Sequence, residues 1–573
     1  MQKQPRAALI VCLLLVVLAF HLSVAWQSLA TLARNGFLYD DSFYAFKIAQ
    51  NIAAGRGATF DGIHPTTGFQ PLYVLLLVPA FLAGGGSLVI PIYIALSLSA
   101  LCTALTAYLI YRISRRYVGA AASTVAALIW AFSPVVTKQT ANGLETAIAS
   151  CMIALSVFYY LEKIRSVPDP PARRFMILGI VLGVTTLARI DGVFLVGVML
   201  LDYLLLLRRR DTPLIVASRI FLIPLGVIAL FGPWLLFNLV KSGSPLQDSG
   251  AATRFLSLAY AGYFGYGTQG LALKSPDPSF IWAHLAHSVS TMKVIPPVHV
   301  LFRSIERMGT ALGSGGDFRF IGNILGFVGL ALGGGAVLRW GKNAKRALRR
   351  EVDFLLLFSI LLLVSYATYI FGMFFFLRYF YPVFLVACIY CAFFLQDAFD
   401  WYARRSLPVR RGLIAAGAAY AVCFSCFSYS QAFRSHPVSP YYDIARWVDA
   451  NTRDADKIGV FQCGTIGYLS HRQIINLDGK VNREALEAIR TDCLEGYLER
   501  EGVDIVLDNS RILDIFLGDA RAHMKCFYTD VVHGSMDLPS GWIAYRRSPL
   551  GAAQRAMGGG SGVRSTPMVP LSR

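Results

Sequence analysis

Apolar runs of about 20 residues recur along most of this 573-residue chain, and that length is what a helix needs to cross the hydrocarbon core of a bilayer. Nothing else in the sequence constrains the fold as strongly, because a segment in lipid must satisfy its own backbone N–H and C=O groups. About eleven such runs can be read, at 7–30, 88–111, 118–134, 144–161, 175–189, 193–207, 219–240, 320–338, 353–372, 379–399 and 412–430. Composition agrees. Hydrophobic residues make up 55% and charged residues 15%, with a mean hydropathy of +0.53, whereas a soluble domain carries charge on roughly a quarter of its positions. An ordinary soluble enzyme is excluded. The first run continues to Trp26 with no small-x-small cleavage site, so it reads as a helix and not as a signal peptide.

The net charge of +19 raises the question of a nucleic-acid partner, and its placement answers it. Basic residues cluster in short loops between the apolar runs: Lys3/Arg6, Arg112/Arg115/Arg116, Lys163/Arg165/Arg173/Arg174, Arg208/Arg209/Arg210, Arg339 to Arg350, and Arg404/Arg405/Arg410/Arg411. Such clusters mark cytoplasmic loops, and counting crossings between them puts all six on one side. The charge therefore reports orientation, with the N-terminus inside, and gives no support to nucleic-acid binding. The apolar segment 71–83 is too short to cross without breaking that parity, and it reads as an interfacial helix stopped by Gly84-Gly85-Gly86. Residues 1–430 thus form a membrane domain with exterior loops at 31–70 and 241–319. Residues 431–547 regain charge and carry strand-like runs such as Ile458-Gly459-Val460-Phe461 and Val503-Asp504-Ile505-Val506-Leu507, the pattern of a small α/β domain outside the membrane. Residues 548–573 read as a disordered tail. The predicted fold is mainly α, polytopic, with a small C-terminal α/β domain.

Several chemistries have no sequence support. No Walker A loop or dinucleotide glycine fingerprint is present. Cys388/Cys391 and Cys423/Cys426 have CxxC spacing but lie on apolar spans, where packing explains them. Cys463, Cys493 and Cys526 fall in the outer domain, and one disulfide among them is conceivable there. His284 and His287 share a helical spacing without a carboxylate to complete a metal site. Gly179/Gly183 and Gly322/Gly326 have the spacing that lets helices approach closely. No internal repeat of the kind that builds many secondary transporters is visible.

The most informative stretch is Tyr39-Asp40-Asp41-Ser42-Phe43-Tyr44, followed by Thr59-Phe60-Asp61-Gly62 and Thr66-Thr67-Gly68-Phe69-Gln70-Pro71. Two adjacent carboxylates stand just after the first span. Desolvation and mutual repulsion would raise the pKa of one of them, as suits a general base. Either could equally cap a helix running from Ser42 through Ala54 and ended by Gly55. Here the sequence resembles the GT-C superfamily of polytopic glycosyltransferases, relatives of protein mannosyltransferases, aminoarabinose transferases and arabinofuranosyltransferases, in which an acidic pair opens the first exterior loop ahead of an interfacial helix. Asn142-Gly143-Leu144-Glu145-Thr146, Ala188-Arg189-Ile190-Asp191-Gly192, Arg378-Tyr379-Phe380-Tyr381-Pro382 and Asn476-Leu477-Asp478-Gly479-Lys480-Val481-Asn482 follow in the order such proteins show. Relatives often have His where Gln70 stands here, which leaves position 70 a hydrogen-bonding duty.

The resemblance implies a sugar donor on a polyprenyl phosphate, a glycan, lipid or protein acceptor, and a site on the extracytoplasmic face of a bacterial inner membrane. Asp40 is expected to take the acceptor proton and Asp41 and Glu145 to orient hydroxyls. Arg378 or Arg189 is expected to stabilise the phosphate, and Tyr379, Asp191 and Gln70 to lie in the substrate shell. Arg189 and Asp191 lie between two short spans, so their turn should sit at membrane depth, either lining a wet cavity or pairing with each other. No cofactor and no metal is expected. Transfer of a whole oligosaccharide, or transport of a lipid-linked saccharide, remains the alternative.

Overall fold

The computed structural model describes residues 7–34, 36–207, 213–263, 352–369, 377–412, 440–517, 528–530 and 538–547, with 415, 417 and 419. The expected spans at 320–338 and, beyond its first residues, at 412–430 lie outside these, as do most of loop 241–319, His284, His287, Gly322, Gly326, Cys423, Cys426, Cys526 and the tail. Each remaining apolar run falls on a helix. They are α1 (Ala7–Ala25), α2 (Leu29–Arg34), α3 (Asp40–Ala53), α4 (Pro71–Ala83), α5 (Ile90–Ser114), α6 (Ala120–Ala131), α7 (Pro134–Thr140), α8 (Thr146–Tyr159), α9 (Ala172–Ala188), α10 (Gly192–Asp202), α11 (Pro213–Ser242) and α12 (Asp248–Tyr263), followed by Phe354–Tyr369 and Leu377–Ala403.

Among the described residues, four helices are long and apolar enough to cross a membrane: Ile90–Ser114, Thr146–Arg165, Val216–Ser242 and Arg378–Ala403. A fifth crossing results if α6 and α7, bent by 54°, are one broken span. The break follows from Pro134 at the first position of α7, which holds Ser133 extended at φ −70°, ψ 132°. α4 occupies the predicted interfacial segment and stops at Gly84. Leu75, Leu76 and Leu82 stay exposed on it while Tyr73, Val74 and Leu77 are buried, as expected of a helix with one face on the protein and one toward lipid.

α9 crosses α11 backbone to backbone. A Cβ on Gly179 would lie 2.4 Å from the Ile223 carbonyl oxygen, and one on Gly226 would lie 2.8 Å from the Gly179 carbonyl carbon. The close-packing role expected of Gly179/Gly183 is therefore real, and Gly226 is the partner that spacing alone did not reveal. Gly179→Val is expected to cost about 1–3 kcal/mol or more through forced separation of the two helices, read as a lowered unfolding temperature in detergent. An unchanged transition would mean that the crossing tolerates a side chain.

The outer segment is a five-stranded sheet in the order β2-β1-β3-β5-β4, built from β1 (Lys457–Val460), β2 (Gln473–Asn476), β3 (Ile505–Asn509), β4 (Tyr528–Asp530) and β5 (Trp542–Arg547). β1 pairs in parallel with β2 and β3, and β5 pairs antiparallel with β3 and β4. Parallel strands covered on both faces read as continuous apolar runs, and β1 and β3 are almost wholly buried. Cys463 and Cys493 carry free thiols, so no disulfide joins these two.

This outer unit does not dangle from the bundle. Phe43 and Phe46 of α3 pack against Tyr468 at ring-centroid distances of 5.6 and 5.8 Å, and one hydrophobic core runs from the membrane helices through Trp447 and Ile466. Loop 31–70 is the layer between the two.

Candidate active site

α3 begins at Asp40 with Tyr39 as its cap residue, and no side chain caps it. The carboxylates expected to cap this helix are therefore directed elsewhere. Asp40 accepts hydrogen bonds from the backbone N–H of Thr465 at 2.7 Å and of Gly464 at 3.2 Å, at the start of the short helix Gly464–Leu469 that follows β1. Asp41 accepts from Arg378 Nη2 at 2.6 Å and lies 3.4 Å from Lys480 Nζ. The two acids thus face different neighbours. Burial raises the Asp40 carboxyl to about 6 against the pull of the Thr465 N–H. For Asp41, burial pushes upward but the Lys480 and Arg378 cations overcome it and hold the carboxyl well below the usual range.

Lys480 reaches the site because β2 ends at Asn476 and the chain turns through Gly479, at φ +78°. Asp478 accepts from the Lys480 backbone N–H at 3.0 Å and pairs with its ammonium at 3.2 Å. Asp41 and Asp478 more than offset burial and keep that ammonium charged. Both loops that meet the acidic pair follow the C-terminal ends of parallel strands, where α/β sheets present ligand-binding residues. Close backbone approach fixes the joint. A Cβ on Gly68 would lie 1.9 Å from the Lys480 carbonyl oxygen, and one on Gly464 would lie 2.1 Å from that of Asp40.

On the membrane side, the turn Asn142–Glu145 is buried and locked. Asn142 accepts from the Leu144 N–H at 2.8 Å, and Tyr73 donates to the Gly143 carbonyl at 2.6 Å. Glu145 is the cap residue of α8, yet its side chain makes no capping bond; it accepts from Arg189 Nη1 at 2.6 Å. Arg189 also donates to Asp191 from Nε and Nη2, both at 3.0 Å. Tyr366 donates to the same Asp191 oxygen at 2.8 Å. Arg189 and Asp191 pair, and both also line a cavity, so the two outcomes expected for that turn occur together. The Tyr379 ring stacks on Tyr366 at 4.7 Å, with Arg189 and Arg378 5.6 and 5.1 Å from its centroid.

These groups surround one cavity of about 600 Å³ between the bundle, loop 31–70 and the outer sheet. Asp41, Gln70, Glu145, Arg189, Asp191, Arg378 and Tyr379 all line it, so the structure brings together the residues singled out from sequence, apart from Asp40. Lys480, Tyr366 and Gln247 were missed. Lys480 lies inside a quoted motif and carried a signal; Tyr366 sits in an apolar run, where one hydroxyl carries none. The start of α12 supplies a further wall. Gln247 donates to the Phe69 carbonyl at 2.7 Å and approaches Gln70 at 3.5 Å, while Asp248 accepts from Thr67 at 2.8 Å and pairs with Arg483 at 3.1 Å.

A second joint lies apart from the cavity. His64 Nδ1 is 2.6 Å from Asp61 and its Nε2 is 3.3 Å from Glu501. His64, Glu484 and Glu501 present ligand-type atoms within 4.8 Å of one another, but Arg500 lies 3.0 Å from Glu484 and 3.6 Å from Glu501, so the group is an ion-pair network. The Asp61 bond raises the His64 pKa above 6.5 against burial, with Glu501 adding to it. A raised histidine stabilises the folded state below its unfolded pKa and loses that contribution as pH rises through the folded value. Wild type minus His64→Gln should therefore show a positive difference in unfolding temperature below pH 6.5 that shrinks at higher pH. A difference that grows with pH would contradict the pairing.

Residues 76–237 match the family model described as dolichyl-phosphate-mannose-protein mannosyltransferase, and residues 427–556 match a domain of unknown function. No curated protein matches the chain. Among solved structures, the archaeal oligosaccharyltransferase AglB from Archaeoglobus fulgidus, in complex with an inhibitory peptide and a dolichol-phosphate, superposes with a TM-score of 0.53 at 16% identity, covering 94% of this chain and 74% of that one. The Archaeoglobus fulgidus oligosaccharyltransferase tethered with an acceptor peptide gives 0.51, 16%, 94% and 74%. ArnT from Cupriavidus metallidurans bound to undecaprenyl phosphate gives 0.46, 14%, 95% and 98%. The chain has the multi-spanning GT-C fold. It is a multi-pass membrane protein with the apolar helices that such a fold requires.

Proposed function

We propose that this protein is an integral membrane glycosyltransferase that moves a sugar from a polyprenyl-phosphate donor to an acceptor hydroxyl in cell-envelope glycan or glycolipid assembly. One observation carries the reading: a single cavity holds a carboxylate, Asp41, between two cations, Arg378 and Lys480. Likeness to a structure with bound dolichol-phosphate and the partial match to a mannosyltransferase family support it.

In the reaction, the acceptor oxygen bonds to the anomeric carbon as the bond from that carbon to the phosphate oxygen breaks. The electron pair leaves with the polyprenyl phosphate, and the acceptor proton passes to Asp41. Arg378 and Lys480 receive the phosphate, as charge-assisted donors do best. When they turn to it, Asp41 loses the partners that depress its pKa and becomes a better base. Direct displacement inverts the anomeric centre and needs no covalent enzyme intermediate. This reading gives the proton to Asp41 in place of the expected Asp40, because Asp41 lines the cavity and the oxygens of Asp40 accept from the Gly464 and Thr465 backbone; Asp40 is then a positioning residue. Arg189, already bonded to two carboxylates, is a poorer phosphate ligand than Arg378.

The helix ends support the orientation in this reading. Arg116–Glu162, Tyr160–Asp202 and Gly119–Gln396 contacts gather the ends beside the basic loops, while the cavity takes α8 at its start, α9 at its end and the helix Leu377–Ala403 at its start. With the basic loops cytoplasmic, the cavity and outer domain are extracytoplasmic. The test uses purified protein in lipid nanodiscs with undecaprenyl phosphate carrying mannose, glucose or arabinose and envelope glycan as acceptor, following release of undecaprenyl phosphate by mass spectrometry. Release in step with glycan extension is expected. Sugar lipid that crosses the bilayer intact would favour a transporter instead.

A further inference from the structure

Asp191 is 5% exposed and lines the cavity, yet it is bonded on one side only. Its Oδ2 accepts from Arg189 Nε, Arg189 Nη2 and Tyr366. Its Oδ1 is buried and has no hydrogen-bond partner among the described residues. A buried carboxylate oxygen without a donor is costly, and a cavity wall is where a ligand supplies one. Resting on the glycosyltransferase reading, we propose that Asp191 Oδ1 accepts a hydrogen bond from a ring hydroxyl of the donor sugar, making the Glu145–Arg189–Asp191–Tyr366 cluster the sugar subsite.

The charges specify the ligand class. Glu145 and Asp191 both bond Arg189, two carboxylates to one guanidinium, so this wall is the more acidic and disfavours phosphate. The opposite group, Arg378 and Lys480 with Asp41 and Asp478, is neutral by the same count and holds two cations that can turn to a phosphate. The cavity is thus sorted, phosphate toward the outer-domain joint and hydroxyl donors toward Asp191. Asp191 has its functional oxygen held in place because Arg189 and Tyr366 fix the other one.

The test measures binding of two probes to purified protein in nanodiscs: bare undecaprenyl phosphate, and undecaprenyl phosphate carrying mannose or glucose. Wild type should bind a sugar-bearing lipid about tenfold or more tightly than the bare carrier, the margin expected of a hydrogen bond to a charged group. Asp191→Asn should lose that margin and keep its affinity for the bare carrier, which also reports that the variant is folded. A retained margin in Asp191→Asn overturns the proposal, as does equal loss for both lipids, which would make Asp191 structural only. Wild type that binds the two lipids equally leaves the wall to water and overturns the subsite alone. Failure of wild type to bind either lipid overturns the glycosyltransferase reading, and the subsite with it.

Discussion

Asp41→Asn is expected to lower sugar transfer by about 10³-fold, within the range for removal of a positioned general base, while the protein stays folded and inserted. The substitution keeps the side-chain shape and one oxygen for Arg378. It removes the charge and the ability to take the acceptor proton. Carrier binding should survive, because Arg378 and Lys480 lose an anionic competitor for their charge. Asp40→Asn is expected to act differently. Its oxygens serve the backbone N–H groups of Gly464 and Thr465, so the loss should appear chiefly as weaker seating of the outer domain, with transfer still measurable. Side-by-side turnover and thermal unfolding of the two variants decide the matter. If Asp40→Asn abolishes transfer and Asp41→Asn does not, the base is Asp40, as the sequence expectation has it.

Gly68→Ala is expected to cost about 10²-fold in transfer, the scale on which a displacement of about 1 Å acts on a reacting geometry. The added methyl would stand 1.9 Å from the Lys480 carbonyl oxygen. That neighbour is backbone in the Asp478–Lys480 turn and cannot rotate aside, so the turn must move and carry the ammonium with it. Because the proposed phosphate clamp is half Lys480, binding of bare undecaprenyl phosphate should weaken in parallel. A variant with wild-type binding and turnover would show that Lys480 is not seated by this contact, and would weaken its place in the clamp.

Much of this was legible in the chain, and the reasons are specific. Hydropathy located the helices because lipid allows few alternatives to a helix, and the short run 71–83 gave itself away by breaking the parity of the basic loops. The acidic pair, Glu145, Arg189–Asp191 and Arg378 stood out because ionisable groups are scarce at the apolar ends of spans. Partner choice was not legible. Asp40 and Asp41 are neighbours in sequence, and one peptide step on α3 turns Asp40 to the backbone of Gly464 and Thr465 and Asp41 to the Arg378 and Lys480 cations. That joint depends on Gly68, Gly464 and Gly479, whose roles rest on approach distances and a positive φ that no spacing encodes. The pairing of Arg189 with both Glu145 and Asp191 likewise needs three dimensions, and it is why the proposal keeps Arg378, of the two arginines expected at the phosphate, and adds Lys480. Tyr366 contributes one hydroxyl from an apolar helix, invisible to hydropathy.

The central claim is that the cavity between bundle and outer sheet receives a polyprenyl phosphate through Arg378 and Lys480 beside Asp41. An experimental structure of the protein in nanodiscs with undecaprenyl phosphate tests it most directly. The phosphate is expected within hydrogen-bonding reach of the Arg378 guanidinium and the Lys480 ammonium, with Asp41 released from at least one of them and facing the cavity. Phosphate density elsewhere on the protein, with Arg378 and Lys480 still closed on Asp41, would contradict it.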